Sequence, residues 1–191
     1  MASEPVAGLV LAGGLGRRHG GIDKGWVNHQ GQPLVEHALQ HLERCGCDPC
    51  LISANRNRDR YASLEVSVLA DRRTGYLGPL SGIESAFLAC PAKWLYVVPV
   101  DVRGMPADWL AQLHARVQAT GAPWCGTLDD GRLQPLLGLW SRDLLPMLGS
   151  YLDAGGRRVM EFVRPWQSHA LALPAGFSLS NLNTPESLQP D

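Results

Sequence analysis

The chain has 191 residues, 45% of them hydrophobic and 18% charged, and its 17 basic and 18 acidic side chains leave a formal net charge of −1. That length supports one sizeable core, so a single domain over residues 1–191 is the expectation, and the charge balance argues against a nucleic-acid binder, which relies on a basic surface. The first five residues carry no basic segment and the apolar run Val6–Leu11 is too short for a leader or a membrane span, so the sequence reads as cytoplasmic, with its five cysteines reduced.

In chain order, Val6–Leu11 is short, continuous and apolar, which predicts a buried parallel strand. A Gly-rich loop from Ala12 to Gly25 follows. Pro33 stands at a first helical position, and Leu34, Val35, Ala38, Leu39 and Leu42 then recur at helical spacing. Leu51–Ala54 and Val66–Ala70 predict two further strands. Gly78-Pro79 opens a helix whose buried stripe is Leu80, Ile83, Phe87 and Leu88. Trp94–Val100 predicts a fourth strand ending at Asp101, and Pro106 starts a helix with Leu110, Leu113 and Val117 on one face. This alternation implies a three-layer α/β/α architecture around a mostly parallel sheet. Towards the C-terminus, Asp129-Asp130-Gly131 reads as the turn of an antiparallel pair, Trp124–Leu128 with Gln134–Trp140. A helical stretch covers Leu144–Leu152, and Thr184 can cap a short helix beginning at Pro185.

The segment from Leu11 to Lys24 carries the strongest chemical signal. It leaves the first strand at the carboxyl edge, where open α/β sheets bind ligands. Gly13, Gly14 and Gly16 let backbone N–H groups approach an anion, while Arg18 and Lys24 supply charge for phosphate oxygens. The Walker pattern is excluded because the chain has no Gly-Lys pair, and the dinucleotide fingerprint fails at His19.

Asp101, at the end of an apolar strand on the same edge, suits Mg²⁺, which takes one or two carboxylates together with substrate phosphates. A turn or helix-capping role for Asp101 is the competing reading; Asp71 ends the third strand in the same way and reads either as a nucleotide contact or as a turn residue beside Arg72 and Arg73. Gly78 introduces a helix N-terminus facing the same crevice. Arg157 and Arg158 follow a Gly pair; physical reasoning alone favours a solvated helix start there. His37, His41 and Cys45 share a helix face near Cys47 and Cys50, but without a matching second half the cluster reads as packing. The six tryptophans are scattered singly and read as core or rim residues.

The stretch from Leu11-Ala12-Gly13-Gly14 through Arg18 to Asp23-Lys24 resembles the signature loop of the molybdenum cofactor guanylyltransferases. The likeness continues through Ala54-Asn55-Arg56, Asp71, Gly78–Gly82, Pro99-Val100-Asp101, Arg157-Arg158-Val159 and Asn181–Glu186, so it spans nearly the whole chain. It implies a Rossmann-like nucleotidyltransferase fold and transfer of GMP from GTP to molybdopterin, with or without bound molybdenum, releasing pyrophosphate. By the same resemblance Leu11, Ala12, Gly13, Gly14, Lys24, Ser53, Asp71, Gly78 and Asp101 would serve the nucleotide, Asp101 would hold Mg²⁺, and Arg18, Lys24 and Asp101 would drive the chemistry. Arg157, Asn181 and Asn183 would face molybdopterin, and other cofactor-biosynthesis proteins and target apoenzymes are the implied partners.

Ser53 stands where the family often has Asn, replacing a paired amide donor and acceptor by one hydroxyl. His19 replaces a common Met. Gly13-Gly14, where cytidylyltransferase relatives usually carry Ala-Gly, favours guanine. Three alternatives stay open: cytidylyl transfer to the same acceptor, nucleotidyl transfer to a sugar phosphate, and a non-catalytic GTP-binding role.

Overall fold

The computed structural model of the chain describes residues 4–13, 23–75 and 78–181. From β1 (Val6–Leu11) the chain passes a 3₁₀ turn (Lys24–Trp26) and a small hairpin, β2 (Asn28–His29) and β3 (Gln32–Pro33), into helix α1 (Leu34–Arg44). Then come β4 (Cys50–Ser53), α2 (Arg58–Ala62), β5 (Ser67–Leu69), α3 (Pro79–Ala89) and β6 (Trp94–Pro99). β7 (Val102–Arg103) and α4 (Trp109–Thr120) precede the pair β8 (Trp124–Asp129) and β9 (Arg132–Ser141). Helices α5 (Leu145–Asp153) and α6 (Val159–Val163) and strands β10 (Leu171–Ala172) and β11 (Ser180–Asn181) follow.

Seven strands form one sheet in the order β10-β8-β9-β6-β1-β4-β5. β6, β1, β4 and β5 are mutually parallel, whereas β9 runs antiparallel to both β6 and β8. The expected mixed sheet is therefore present, with its antiparallel part beside β6. From β1 the chain winds outward to β4 and β5, then α3 carries it back to β6 on the other flank of β1. That reversal makes the carboxyl ends of β1 and β6 a topological switch point, where helices diverge to opposite faces and leave a crevice.

Alternating strand residues feed two apolar layers. Val10, Ile52 and Val98 pack with Leu34, Val35 and Leu42 of α1 and with Trp109 and Leu113 of α4. Leu9, Leu51 and Val97 face the opposite way, against Leu80, Ile83 and Phe87 of α3, Leu148 of α5 and Phe162 of α6. This is the period-2 consequence of the pleat, and it explains why these strands are apolar on both sides.

Several expectations shift. Leu88 is 48% exposed rather than part of the α3 stripe, because the helix buries its Leu80-Ile83-Phe87 face against the sheet. Pro33 is the N-cap of α1 and also ends β3, its backbone extended at φ −60°, ψ 145°. Pro106 lies in a turn, its carbonyl accepting from the Trp109 N–H, so α4 begins at Trp109. Nor are all the tryptophans isolated: Trp124 meets Trp140 edge to face, and Trp140 stacks on Phe162 inside the core. All five cysteines are free thiols. No described helix is long and apolar enough to cross a membrane. Thr184 and the helix expected from Pro185 lie outside the described residues.

Candidate active site

Register builds the site. Leu69 of β5, Ser53 of β4, Leu11 of β1 and Pro99 of β6 lie side by side at the carboxyl edge of the parallel strands. Two residues further along each strand path stand Asp71, Asn55, Gly13 and Asp101. The intervening backbone continues the ladder: Ala12 N–H donates to Ser53 O at 3.0 Å, Ala54 N–H to Leu69 O at 2.9 Å, and Val100 N–H to Leu11 O at 3.2 Å. Sequence-distant polar residues are thereby aligned on one rim by strand register alone.

Asp71, Gly13 and Asp101 line a cleft of about 790 Å³, measured out to its open mouth. Leu11, Ala12 and Gly13 form its floor, Ser53 and Asp71 one flank, and Lys24 and Asp101 the other. Gly78 and Pro79 at the start of α3 complete the wall, with Leu136 of β9 at the edge. Gly78 has φ +84°, a conformation that favours glycine.

Lys24 Nζ donates to Asp101 Oδ2 at 2.9 Å. Both side chains keep about a quarter or a fifth of their surface exposed, 26% and 20%, so the pair faces the cleft rather than the core. Lys24 reaches this place because its turn is fastened from behind. The Asp23 carboxylate accepts from Tyr61 Oη (2.6 Å), Asn57 Nδ2 (2.8 Å) and the Gly25 N–H (3.2 Å). Arg60 sits over the Trp26 ring, 4.0 Å from its centroid. Gly25 admits no side chain, since a Cβ there would lie 2.2 Å from Tyr61 Oη.

The opposite flank is equally tied. Asn55 Nδ2 donates to Asp71 Oδ2 at 2.9 Å, and its Oδ1 accepts from the Asp71 N–H at 2.8 Å. Burial raises the Asp71 pKa above the ordinary carboxylate value; the Asn55 hydrogen bond opposes this and the Glu84 charge adds to it. Arg73 then grips Glu84 with two bonds, at 2.6 and 2.7 Å, anchoring the segment to α3. Ser53 is buried with its hydroxyl against Gly82 of α3, where a Cβ would lie 2.4 Å from the Ser53 Oγ. Gly82 thus lets α3 close on the strand ends.

Among the described residues no three His, Cys, Asp or Glu side chains group as a metal site. The Asp101 carboxylate at the rim of the cleft is the kind of oxygen donor that fits Mg²⁺, which keeps waters and needs one or two carboxylates. His41 and Cys45 pack instead: His41 Nε2 bonds Tyr96 Oη at 3.1 Å, and burial first, then Arg44, push its pKa down to about 4.

Comparison with known proteins gives this geometry a family. Residues 8–170 match the MobA-like NTP transferase domain. The molybdenum cofactor guanylyltransferase of Shewanella halifaxensis is 36% identical over 96% of this chain and 92% of its own. That of Pasteurella multocida is 39% identical over 86% of both. The chain belongs to the molybdenum cofactor guanylyltransferase family. The fold agrees: molybdopterin-guanine dinucleotide biosynthesis protein A of Archaeoglobus fulgidus superposes with a TM-score of 0.73, at 21% identity, over 95% of this chain and 94% of that one. Membership in this family makes the protein a nucleotidyltransferase of molybdenum cofactor biosynthesis.

Of the site residues expected from sequence for a guanylyltransferase, Leu11, Ala12, Gly13, Lys24, Ser53, Asp71, Gly78 and Asp101 meet in the one cleft. Gly14, Arg18 and Asn183 lie outside the described residues. Arg157 lies at the rim, its carbonyl 4.0 Å from where a Gly78 Cβ would be, but its Nη1 caps carbonyls of Leu152 (2.9 Å) and Gly156 (2.6 Å) at the end of α5. The Asn181 backbone pairs with Val102, the neighbour of Asp101. Sequence reasoning missed the supporting roles of Asp23, Asn55, Asn57 and Tyr61. Asp23 and Asn55 belong to quoted motifs, but no local signal pointed to Asn57 or Tyr61, because α2 is only one short turn of helix.

Proposed function

We propose that the chain transfers GMP from GTP to the terminal phosphate of molybdopterin, forming molybdopterin guanine dinucleotide and releasing pyrophosphate. The observation that carries this reading is the 2.9 Å Lys24–Asp101 pair facing a cleft at the switch point between β1 and β6. It gains support from the named relatives, which are molybdenum cofactor guanylyltransferases over nearly the full length.

A phosphate oxygen of the acceptor attacks the α-phosphorus of GTP, and the bond from that phosphorus to the α–β bridging oxygen breaks. The electron pair leaves with pyrophosphate. The nucleophile is already anionic near neutral pH, so positioning and charge neutralisation carry the catalysis rather than a general base. The floor at Leu11, Ala12 and Gly13 holds the nucleotide, and Gly13 keeps the backbone approachable. Lys24 neutralises charge on the triphosphate and the departing pyrophosphate, with Arg18 in the same role. Asp101 would hold Mg²⁺, which when bound supplies further neutralisation of phosphate charge. Asp71, Ser53 and Gly78 bound the nucleotide on the far side, and Arg157, Asn181 and Asn183 serve the acceptor.

The test is pyrophosphate release with molybdopterin and either GTP or CTP. Release with GTP, slowed steeply in Lys24→Ala and Asp101→Ala, is the expected result. Preference for CTP would make the enzyme a cytidylyltransferase, and full transfer by both variants would remove the assignment.

A further inference from the structure

We propose that a second cavity, between α1 and β7, is an oxyanion-binding site in which Arg103 and Arg44 hold a phosphate group. The pocket, about 470 Å³ counting the open space at its mouth, lies behind the Val100 turn and shares Val100 with the nucleotide cleft. Its described lining includes Arg44, Arg103, His37 and His41 but no carboxylate.

The decisive feature is Arg103. Its Nη1 is buried and has no hydrogen-bond partner among the described residues. Burying an unpaired donor of a cation is unfavourable, and native proteins rarely leave one so without a ligand or ion to satisfy it. Burial lowers the Arg103 pKa, yet a guanidinium remains charged in any protein environment. The side chain is also presented by a fixed backbone. β7 pairs with β11, placing Arg103 opposite Ser180. The next residue, Gly104, has φ +89° and abuts Ser178, whose carbonyl would lie 2.4 Å from a Cβ at that position. The backbone therefore fixes where the side chain starts, and its Nη1 end is buried although the residue as a whole is only part-buried.

The other groups complete a site of one sign. Arg44, exposed in the last turn of α1, stands at the mouth with its Nε donating to Gln40 O at 3.1 Å. His41 is neutral near pH 7, its pKa pushed down to about 4, so the positive charge comes from the two arginines. His37 Nε2 is engaged with the His29 carbonyl at 2.9 Å, which leaves the other ring nitrogen for a ligand. Two arginines lining one pocket whose described lining holds no carboxylate suit the bidentate recognition of a phosphate. The phosphate can be a free ion or a group of a larger molecule bound in the adjoining cleft, and the binding itself does not depend on the guanylyl-transfer reading.

Calorimetric titration of the full chain with inorganic phosphate, at constant ionic strength, tests the site. The wild type should show a component that Arg103→Met weakens by about tenfold or more and Arg44→Gln weakens less, while Lys24→Ala retains it, since one charge-assisted bond is worth on the order of that factor. Arg103→Met should also be at least as thermostable as the wild type in phosphate-free buffer, because it removes the unpaired donor; Arg103→Lys, which keeps the charge without the fork, serves if the Met variant fails to fold. Superimposable phosphate titrations of wild type and the Arg103 variant overturn the proposal. Steady-state transfer assigns the source: a raised KM for molybdopterin in Arg103→Met, with KM for GTP unchanged, places the phosphate on the acceptor, whereas lost phosphate binding with both KM values unchanged makes it a free anion.

Discussion

Lys24 owes its position to the neighbouring Asp23 carboxylate, which is engaged by Tyr61, Asn57 and Gly25, and Asp23→Ala isolates that debt. Tyr61 is fully buried and donates to Asp23 at 2.6 Å, while the second carboxylate oxygen takes the exposed Asn57 amide at 2.8 Å. Removing the acceptor strands the Tyr61 hydroxyl, which costs about 1–3 kcal/mol, whereas water can replace Asp23 at Asn57. For a chain of this size that corresponds to a Tm lower by roughly 2–12 °C. The turn would then lose its fastening and Lys24 its fixed approach to Asp101. A loss of about 10- to 100-fold in kcat/KM is expected, equivalent to roughly 1.4–2.7 kcal/mol of transition-state stabilisation. A double-mutant cycle separates positioning from mere destabilisation. If Asp23 acts through Lys24, the Asp23→Ala change should slow Lys24→Ala little further, although the Tm falls in both backgrounds. Pyrophosphate-release rates measured well below the unfolding transition supply the readout. Equal fold-losses on the wild-type and Lys24→Ala backgrounds would refute the reasoning, as would a fully active Asp23→Ala.

Three further outcomes follow from the same geometry. Gly82→Ala forces a Cβ to within 2.4 Å of Ser53 Oγ, so overpacking should destabilise by about 1–3 kcal/mol, and Ser53→Ala should recover part of the loss in urea denaturation. His41, with its pKa depressed to about 4, favours the folded state above the unfolded value near 6.5; stability should fall between those values by on the order of 3 kcal/mol, and His41→Gln should flatten that part of the pH–Tm curve. The raised Asp71 pKa has the opposite sign: stability is fullest below the unfolded carboxylate pKa and declines as pH rises through the folded one, so Asp71→Asn should match or exceed the wild-type Tm at pH 7, the gap closing in acid, while weakening GTP binding in a calorimetric titration.

The elements with continuous apolar signals were the legible ones. Val6–Leu11 and Trp94–Pro99 are buried on both faces and so carry a run rather than an alternation, and each lies within a residue of its expected span. Asp71 and Asp101 were readable because a carboxylate directly after such a run stands at a strand's carboxyl end. The short elements had no comparable signal. β7 and β11, two residues each, exist because they pair with one another across a long separation in sequence. α2 is five residues long and enters through Asn57 at φ +51°, neither of which periodicity can register. The exposed Leu88 shows the converse limit: helical spacing gave it the same phase as the core stripe, but the width of the face that β1 and β4 cover is a tertiary fact.

The division of labour between core and rim also explains why the reactive groups are so poorly marked locally. Both apolar layers are complete without Lys24, Asp71 or Asp101, so the fold does not require their chemistry. Their geometry comes instead from polar ties one step further out: Asp23 to Tyr61 and Asn57, Asp71 to Asn55, and Arg73 to Glu84. Such ties are directional, whereas apolar packing tolerates small rotations, and a transfer reaction aligned in-line at phosphorus needs direction more than burial. The tie at Asp23 should therefore show a kcat that falls by more than its lost stability accounts for, while the far-ultraviolet spectrum and the GTP-induced rise in Tm remain.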